Sequence, residues 1–241
     1  MYDYLPRAEL DKLALIHGTD KASRGHDYMR FYEFFLNPFK EKTFVLIELG
    51  VGPKHNKGKS LLTWRDYFPH ATIVGVDIRQ DAKEVETDRV HIEIGDCSKP
   101  NFLRELSRKY APLVIVDDAS HKWSHQILAL ETLFPALEAG GLYVVEDLQT
   151  SFEPLRRGVY ADNTEDAFSF LIRLAHMVGG SGLGHPALDG ANTNSLMKSL
   201  AEVTDMIAFY GRTALIAKRS GIPKRDWVRA LRTDADGGPS T

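Results

Sequence analysis

A single cysteine, Cys97, stands in a chain of 241 residues, so no internal disulfide framework can hold the fold. Charge is nearly balanced, 30 Lys and Arg against 33 Asp and Glu, with no basic stripe, and a phosphate-backbone partner therefore has no electrostatic support. No apolar run approaches the ~18 residues expected of a membrane helix. The opening residues, Met1 to Arg7, lack the apolar core of a secretory signal. These absences lead us to expect a cytoplasmic protein without a nucleic-acid or membrane partner. The dinucleotide fingerprint is missing too. Gly50 and Gly52 have no third glycine opening a helix at once, because Pro53 to Lys59 intervenes before Ser60, and a dehydrogenase is the least favoured enzyme.

What is present reads as one α/β domain. From Thr43 to Val145, apolar runs alternate with helical patterns. Phe44 to Leu49, Thr72 to Val76, Val90 to Ile94, Leu113 to Val116 and Leu142 to Val145 are predicted strands. Ser60 to Tyr67, Phe102 to Lys109 and Trp123 to Leu137 carry the helical spacing between them. This alternation predicts a Rossmann-like, doubly wound parallel sheet with helices on both faces. Thr204 to Tyr210 and Thr213 to Lys218, around Gly211-Arg212, predict an antiparallel hairpin that completes seven strands.

The domain is expected to run from residue 1 to 232. Residues 1–42 read as a helical cap, with helices around Arg7 to Ile16 and Met29 to Asn37. Residues 149–200 read as a lid insertion, containing a helix from Glu165 to Val178 and a flexible glycine-rich run from Gly179 to Gly184. The alternative for this insertion is a plain surface connection. The tail from Thr233 is polar and glycine-rich and is expected to be disordered.

Acids close the predicted strands. Glu48 precedes Gly50 and Gly52, Asp77 ends strand two and Asp96 ends strand three. Such a set suits S-adenosylmethionine. The glycines would let the backbone pass close under the ligand, Glu48 would support its amino-acid end, and Asp77 would accept both ribose hydroxyls. Asp96 would bond the adenine amino group, with the Cys97 N–H on the ring. Ser60 and Ile78 complete this cofactor set. Each acid could instead be a solvated turn residue.

Asp117-Asp118 and Glu146-Asp147 follow strands four and five, and His121 trails the first pair by three residues. On neighbouring parallel strands their carboxylates would converge at the edge where open α/β sheets hold ligands. That pattern reads as a metal site. The alternative is that the paired acids cap the following helices. Hard oxygen donors suit Mg²⁺ or Mn²⁺, whereas one cysteine and one histidine make a poor zinc set. His121 has a suitable ordinary pKa for a general base, and His125 could serve instead or orient it. Asp117 is expected to face away from Asp118, as a cofactor-side or hydrogen-bonding residue rather than a ligand. Thr19, Asp20, Lys21, Tyr28 and Tyr32 are expected near cofactor or substrate. Trp123 would be either a wall beside the substrate or a core residue.

The residues carrying a family resemblance are His17-Gly-Thr-Asp-Lys21, Ile47-Glu-Leu-Gly-Val-Gly52, Ser60 to Pro69, Val116-Asp-Asp-Ala-Ser-His121 and Val145-Glu-Asp-Leu-Gln-Thr-Ser151. In these the chain resembles the class I, metal-dependent sugar O-methyltransferases typified by macrolide deoxysugar enzymes. The resemblance runs from about residue 13 to 155, with an echo near Phe209-Tyr210. It implies S-adenosylmethionine and Mg²⁺ as cofactors, Asp118, Glu146 and Asp147 as metal ligands, and His121 as general base. It implies a sugar-containing small molecule or oligosaccharide as acceptor, and a homo-oligomer is expected. Ala119 departs from the family's common glycine, which matters only if that position needs a positive φ. The competing readings are a catechol-type O-methyltransferase and a non-catalytic S-adenosylmethionine-binding module.

Overall fold

The computed structural model describes residues 8–180 and 195–221. Seven strands form one sheet: β1 (Val45–Leu49), β2 (Thr72–Asp77), β3 (Val90–Ile94), β4 (Val114–Asp117), β5 (Leu142–Val145), β6 (Thr204–Tyr210) and β7 (Thr213–Lys218). Their spatial order is β3-β2-β1-β4-β5-β7-β6. The first five pair in parallel, and β7 is antiparallel to both β5 and β6. The chain order reverses between β1 and β4, which opens the crevice where doubly wound sheets bind ligands.

The helices follow from the apolar spacing. α1 (Glu9–His17) and α2 (Met29–Leu36) form the N-terminal cap. α3 (Lys59–Tyr67), α4 (Pro100–Tyr110) and α5 (Trp123–Leu133) cross over between parallel strands. Pro100 at the first turn of α4 needs no N–H partner, which suits a helix start. The α5 pattern is shorter than the predicted run to Leu137, because Pro135 turns its end into a 3₁₀ segment, Phe134–Ala136. Strands buried on both faces explain the unbroken apolar runs of β4 and β5. One core lies on each side of the sheet. Ile47, Ile115 and Tyr143 face α4, α5 and the C-terminal helices, whereas Leu46, Val114 and Val144 face α3 and the cap.

In the predicted insertion, α6 (Ala167–Gly180) and α7 (Ser195–Val203) bury Leu171, Leu174, Met197 and Leu200 against the core. Both helices thus pack on the core of the domain, and α7 is an element the sequence reading did not identify. Residues 181–184 of the glycine-rich run, the first residues of the chain and the tail from Thr233 lie outside the described residues.

Candidate active site

All five parallel strands end at one edge, and a cavity of about 510 Å³ opens there. Its wall includes Asp20, Lys21, Gly50, Gly52, Asp77, Ile78, Asp96, Cys97, Asp118, His121, His125, Glu146 and Asp147. Gly50 has a φ of 96°, and a Cβ there would collide with the Asp118 carbonyl oxygen. Only glycine thus lets the β1 and β4 strand ends approach so closely.

The inner wall is a cluster of carboxylates around one ammonium. Lys21 is 1% exposed. Its Nζ donates to Glu146 Oε2 at 2.6 Å and to Asp118 Oδ2, and lies 3.5 Å from Glu48 Oε1. Burial alone would push Lys21 down, but the charges of Asp118, Glu146 and Glu48 reverse this and hold it well above its ordinary value. Burial pushes Glu146 well up, Lys21 opposes that, and the neighbouring Asp118 and Glu48 charges reinforce it. One ammonium cannot compensate three acids. Lys21 is therefore charged, within a cluster that holds more acids than cations.

The two cap tyrosines are buried rather than facing a substrate. Tyr28 Oη donates to Asp147 Oδ1 at 3.0 Å, and Tyr32 Oη donates to Glu146 Oε1 at 2.9 Å. They hold the acids in place. Thr19 is likewise buried and absent from the cavity wall, whereas Asp20 is exposed and on it.

With both Glu146 oxygens engaged, Asp118 Oδ1 and Asp147 Oδ2 turn toward His121. Nε2 of His121 lies 4.0 Å from the first and 3.5 Å from the second. One ligand atom from each of Asp118, His121 and Asp147 lies within 4.8 Å of the others, close enough to hold a single ion. Surplus negative charge and hard oxygen donors fit a divalent cation. The expected triad, Asp118, Glu146 and Asp147, thus meets in one wall with Glu146 set behind and His121 beside it. Burial would raise Asp147, but the adjacent His121 charge and a hydrogen bond from Gln149 hold it below the ordinary carboxylate range.

The helix-cap alternative for these acids does not apply. α5 starts after Lys122 with no side-chain cap, and Asp147 makes no side-chain cap bond to the 3₁₀ turn that follows it. The positive φ falls on His121 (55°) and Asp147 (58°), not on Ala119, so the departure from glycine there is without backbone cost. His121 precedes α5 and does not share a helical face with His125. The Nδ1 of His125 is instead 2.7 Å from Ser120 Oγ. Trp123 is a core residue, its Nε1 donating to the Thr150 carbonyl at 3.2 Å.

At the opposite end of the cavity, Asp77 receives the Val51 N–H at 3.2 Å and Asp96 receives the Ser98 N–H at 2.8 Å. Burial would raise Asp77, but hydrogen bonds from Arg79 hold it below the ordinary range. Ile78 stands 66% exposed on the wall, an apolar surface suited to a planar ring. Cys97 is also on the wall, and burial pushes its thiol up to about 12, so it is not a nucleophile.

Three expected cofactor residues lie elsewhere. Asp117 is buried under the Tyr143 hydroxyl at 3.2 Å, away from the cavity, and burial pushes it up to about 7. Glu48 is fully buried behind Lys21, bonded by Trp64 Nε1 at 2.6 Å and by Ser60. Ser60 thereby serves Glu48, and neither lines the wall. Alternation along a strand puts successive side chains on opposite faces, and this sends Asp117 inward while Asp118 reaches the edge. Sequence reasoning missed Arg79 and His26, both on the wall, and Gln126, whose Nε2 donates to the Glu146 carbonyl at 2.8 Å. Arg79 had a signal, a cation two residues after a strand-end acid.

No family model matches the chain. It is 42% identical over 166 residues to the 8-demethyl-8-alpha-L-rhamnosyl tetracenomycin-C 2′-O-methyltransferase of Streptomyces olivaceus, covering 67% of this chain and 43% of that protein. It is 32% identical over 152 residues to the mycinamicin VI 2″-O-methyltransferase of Micromonospora griseorubida, covering 61% of this chain and 38% of that one. The chain thus spans less than half the length of the curated relatives it matches. Among solved structures, the MycE methyltransferase of the mycinamycin biosynthetic pathway, in complex with Mg, SAH and mycinamycin VI, superposes with a TM-score of 0.74 at 25% identity. That match covers 90% of this chain and 57% of the other. A second crystal form of MycE, with Mg and SAH, gives a TM-score of 0.77 at 25% identity over 98% of this chain and 61% of the other. In sequence and in its class I methyltransferase fold, the chain resembles the sugar O-methyltransferases of natural-product biosynthesis.

Proposed function

We propose that the chain is an S-adenosylmethionine- and Mg²⁺-dependent O-methyltransferase that acts on a sugar hydroxyl of a glycoside, free sugar or polysaccharide. One observation carries this reading. His121 Nε2 stands 3.5 Å from Asp147 and 4.0 Å from Asp118 in the same cavity whose far wall is Asp77 and Asp96. A base, a cation-binding set and a nucleoside-binding set thus share one space. The named acceptors of the relatives, a rhamnosyl tetracenomycin and mycinamicin VI, support a sugar over a catechol.

Each residue then has a task. Asp77 accepts the ribose hydroxyls, Asp96 and Ile78 receive the adenine, and Gly50 and Gly52 allow close backbone approach. S-Adenosylmethionine supplies the electrophilic methyl group. Asp118 and Asp147 would hold the divalent cation, with Glu146 joining them on exchange of its bonds to Lys21 and Tyr32, and the cation would supply Lewis acidity toward a hydroxyl. His121 takes the acceptor's proton at Nε2, and the Asp147 carboxylate stabilises the imidazolium that results. Tyr28, Tyr32 and Lys21 keep the acids oriented. A cytoplasmic homo-oligomer without nucleic acid belongs to the same proposal. Light scattering would test the oligomeric state.

The deciding experiment measures S-adenosylhomocysteine formation on a panel of sugars and glycosides, with Mg²⁺ or EDTA. Wild type should turn over a sugar only with the cation. His121→Ala should lose about 10²- to 10⁴-fold in kcat, the ordinary weight of a general base. Turnover indifferent to EDTA and to Asp118→Ala would overturn the mechanism, and cofactor binding without turnover on any acceptor would favour a binding module.

A further inference from the structure

Asp77, the acid that the cofactor reading assigns to the ribose, is gripped from one side by Arg79. The Arg79 backbone N–H donates to Oδ1 at 2.9 Å, Nε donates to Oδ1 at 3.1 Å and Nη2 donates to Oδ2 at 3.1 Å. Nη2 also donates to the Gly52 carbonyl. The guanidinium therefore ties the strand-end acid to the glycine turn, while the Val51 N–H closes the ring onto Oδ2 at 3.2 Å. A second cation fixes the outer end of the same loop. Lys57 Nζ donates to Asp81 Oδ2 at 2.8 Å and to Glu84 Oε2 at 2.9 Å. Residues 50–58 are thus stitched to residues 77–84 at two points.

The first stitch lies within the cavity wall itself. A carboxylate held at one oxygen can rotate about its Cβ–Cγ bond, and its lone pairs then point in many directions. A two-pronged guanidinium removes that rotation, which is the geometric advantage of arginine over lysine. The same group holds the Gly52 carbonyl, so the turn beneath the ligand is fixed relative to the acid. Ordering both before the ligand arrives lowers the entropic cost of binding.

We propose that Arg79 is a positioning residue for the cofactor, a clamp that holds the Asp77 carboxylate and the Gly52 turn in place, with arriving ribose hydroxyls exchanging for part of the four N–H bonds that the two carboxylate oxygens already accept. It rests on the S-adenosylmethionine reading above. It also assigns a role to a cation that stands two residues after a strand-end acid.

Isothermal titration of the full chain tests it with three probes: S-adenosylhomocysteine, adenosine and 2′,3′-dideoxyadenosine. Wild type should prefer adenosine to the dideoxy analogue. In Arg79→Ala the Kd for S-adenosylhomocysteine should rise about tenfold, the weight of a partly exposed charge-assisted bond. The preference for adenosine over the dideoxy analogue should collapse toward one. In turnover, the loss should fall mainly on the cofactor's KM. Arg79→Lys, which keeps the charge without the fork and is the gentler change for folding, should fall between wild type and Arg79→Ala.

Three results would overturn the clamp: an unchanged or tighter Kd in Arg79→Ala, a uniform loss for all three probes, or an Arg79→Lys equal to wild type. If wild type bound none of the probes, the cofactor reading itself would fall, and the clamp with it.

Discussion

Lys21→Met removes the ammonium that faces Glu48, Asp118 and Glu146 while keeping the apolar stem that packs beneath the cap. Glu48 and Glu146 are almost completely buried, so their charges cannot turn to water. Removing one partner of a buried ionic group typically costs about 3–5 kcal/mol, because the remaining charges are stranded. Asp118 keeps a side-chain exposure of 24% and can be partly resolvated, so the lower end applies, about 3 kcal/mol. For a domain of this size each kcal/mol lowers the melting temperature by roughly 2–4 °C, which gives a drop of roughly 6–12 °C. Differential scanning calorimetry together with urea unfolding measures it. The control is Lys40→Met, which breaks the exposed pair with Glu9 at 2.5 Å and should cost under about 1 kcal/mol. Added Mg²⁺ should restore more stability to Lys21→Met than to wild type, because it supplies the missing positive charge. A Lys21→Met shift no larger than that of Lys40→Met would refute the account of the acid cluster as dependent on its single lysine.

Two further outcomes are expected. Asp166 caps α6, accepting the Ser169 N–H at 2.8 Å and its hydroxyl at 2.8 Å, so Asp166→Ala should cost about 1 kcal/mol in chemical denaturation. Burial opposes its ionisation, yet the Ser169 bonds hold its pKa below the ordinary value. Its contribution is therefore full above the unfolded-state pKa near ~3.9 and lost as pH falls through the lower folded value, so the two proteins should converge in stability toward acid. Gly50→Ala places a Cβ against the Asp118 carbonyl at a φ of 96°. A loss of about 1–3 kcal/mol in stability is expected from the backbone strain, together with loss of S-adenosylhomocysteine binding by calorimetry, and retained binding would mean that the β1 and β4 ends separate freely.

The parallel strands and the hairpin were legible because both are written in local pattern. Val90–Ile94 alternates apolar with polar residues, Leu142–Val145 is an unbroken apolar run, and Gly211 marks the hairpin. The helix Ser195–Val203 was not found, because it spans only nine residues, although Met197, Leu200 and Ala201 recur at helical spacing and pack against the core. In the site, residues at strand ends were legible and residues one layer back were not. Asp117 and Glu48 carry acids at the expected places, but strand alternation and a neighbouring Trp64 turn them inward, and neither effect has a signature in residue type. The role of Tyr28 and Tyr32 was hidden for another reason. Each meets a carboxylate more than a hundred positions away, a partnership that topology alone creates.

That topology has a consequence for the order of events on the ribosome. Tyr32 Oη bridges Glu146 Oε1 at 2.9 Å and Thr213 Oγ1 at 3.1 Å, and Thr213 in turn donates to the Val145 carbonyl at 2.9 Å. A nascent chain that has emerged only through β5 holds the glycine turn, the strand-end acids and both cap tyrosines, yet lacks the hydroxyl that secures the end of β5 from its far side. Joining segments 181 residues apart is slow relative to local pairing, so the strand-end acids should reach their final orientation only when the last strand inserts between β5 and β6. On the proposed function, competence to bind a cation would in this sense report that synthesis of the sheet is finished.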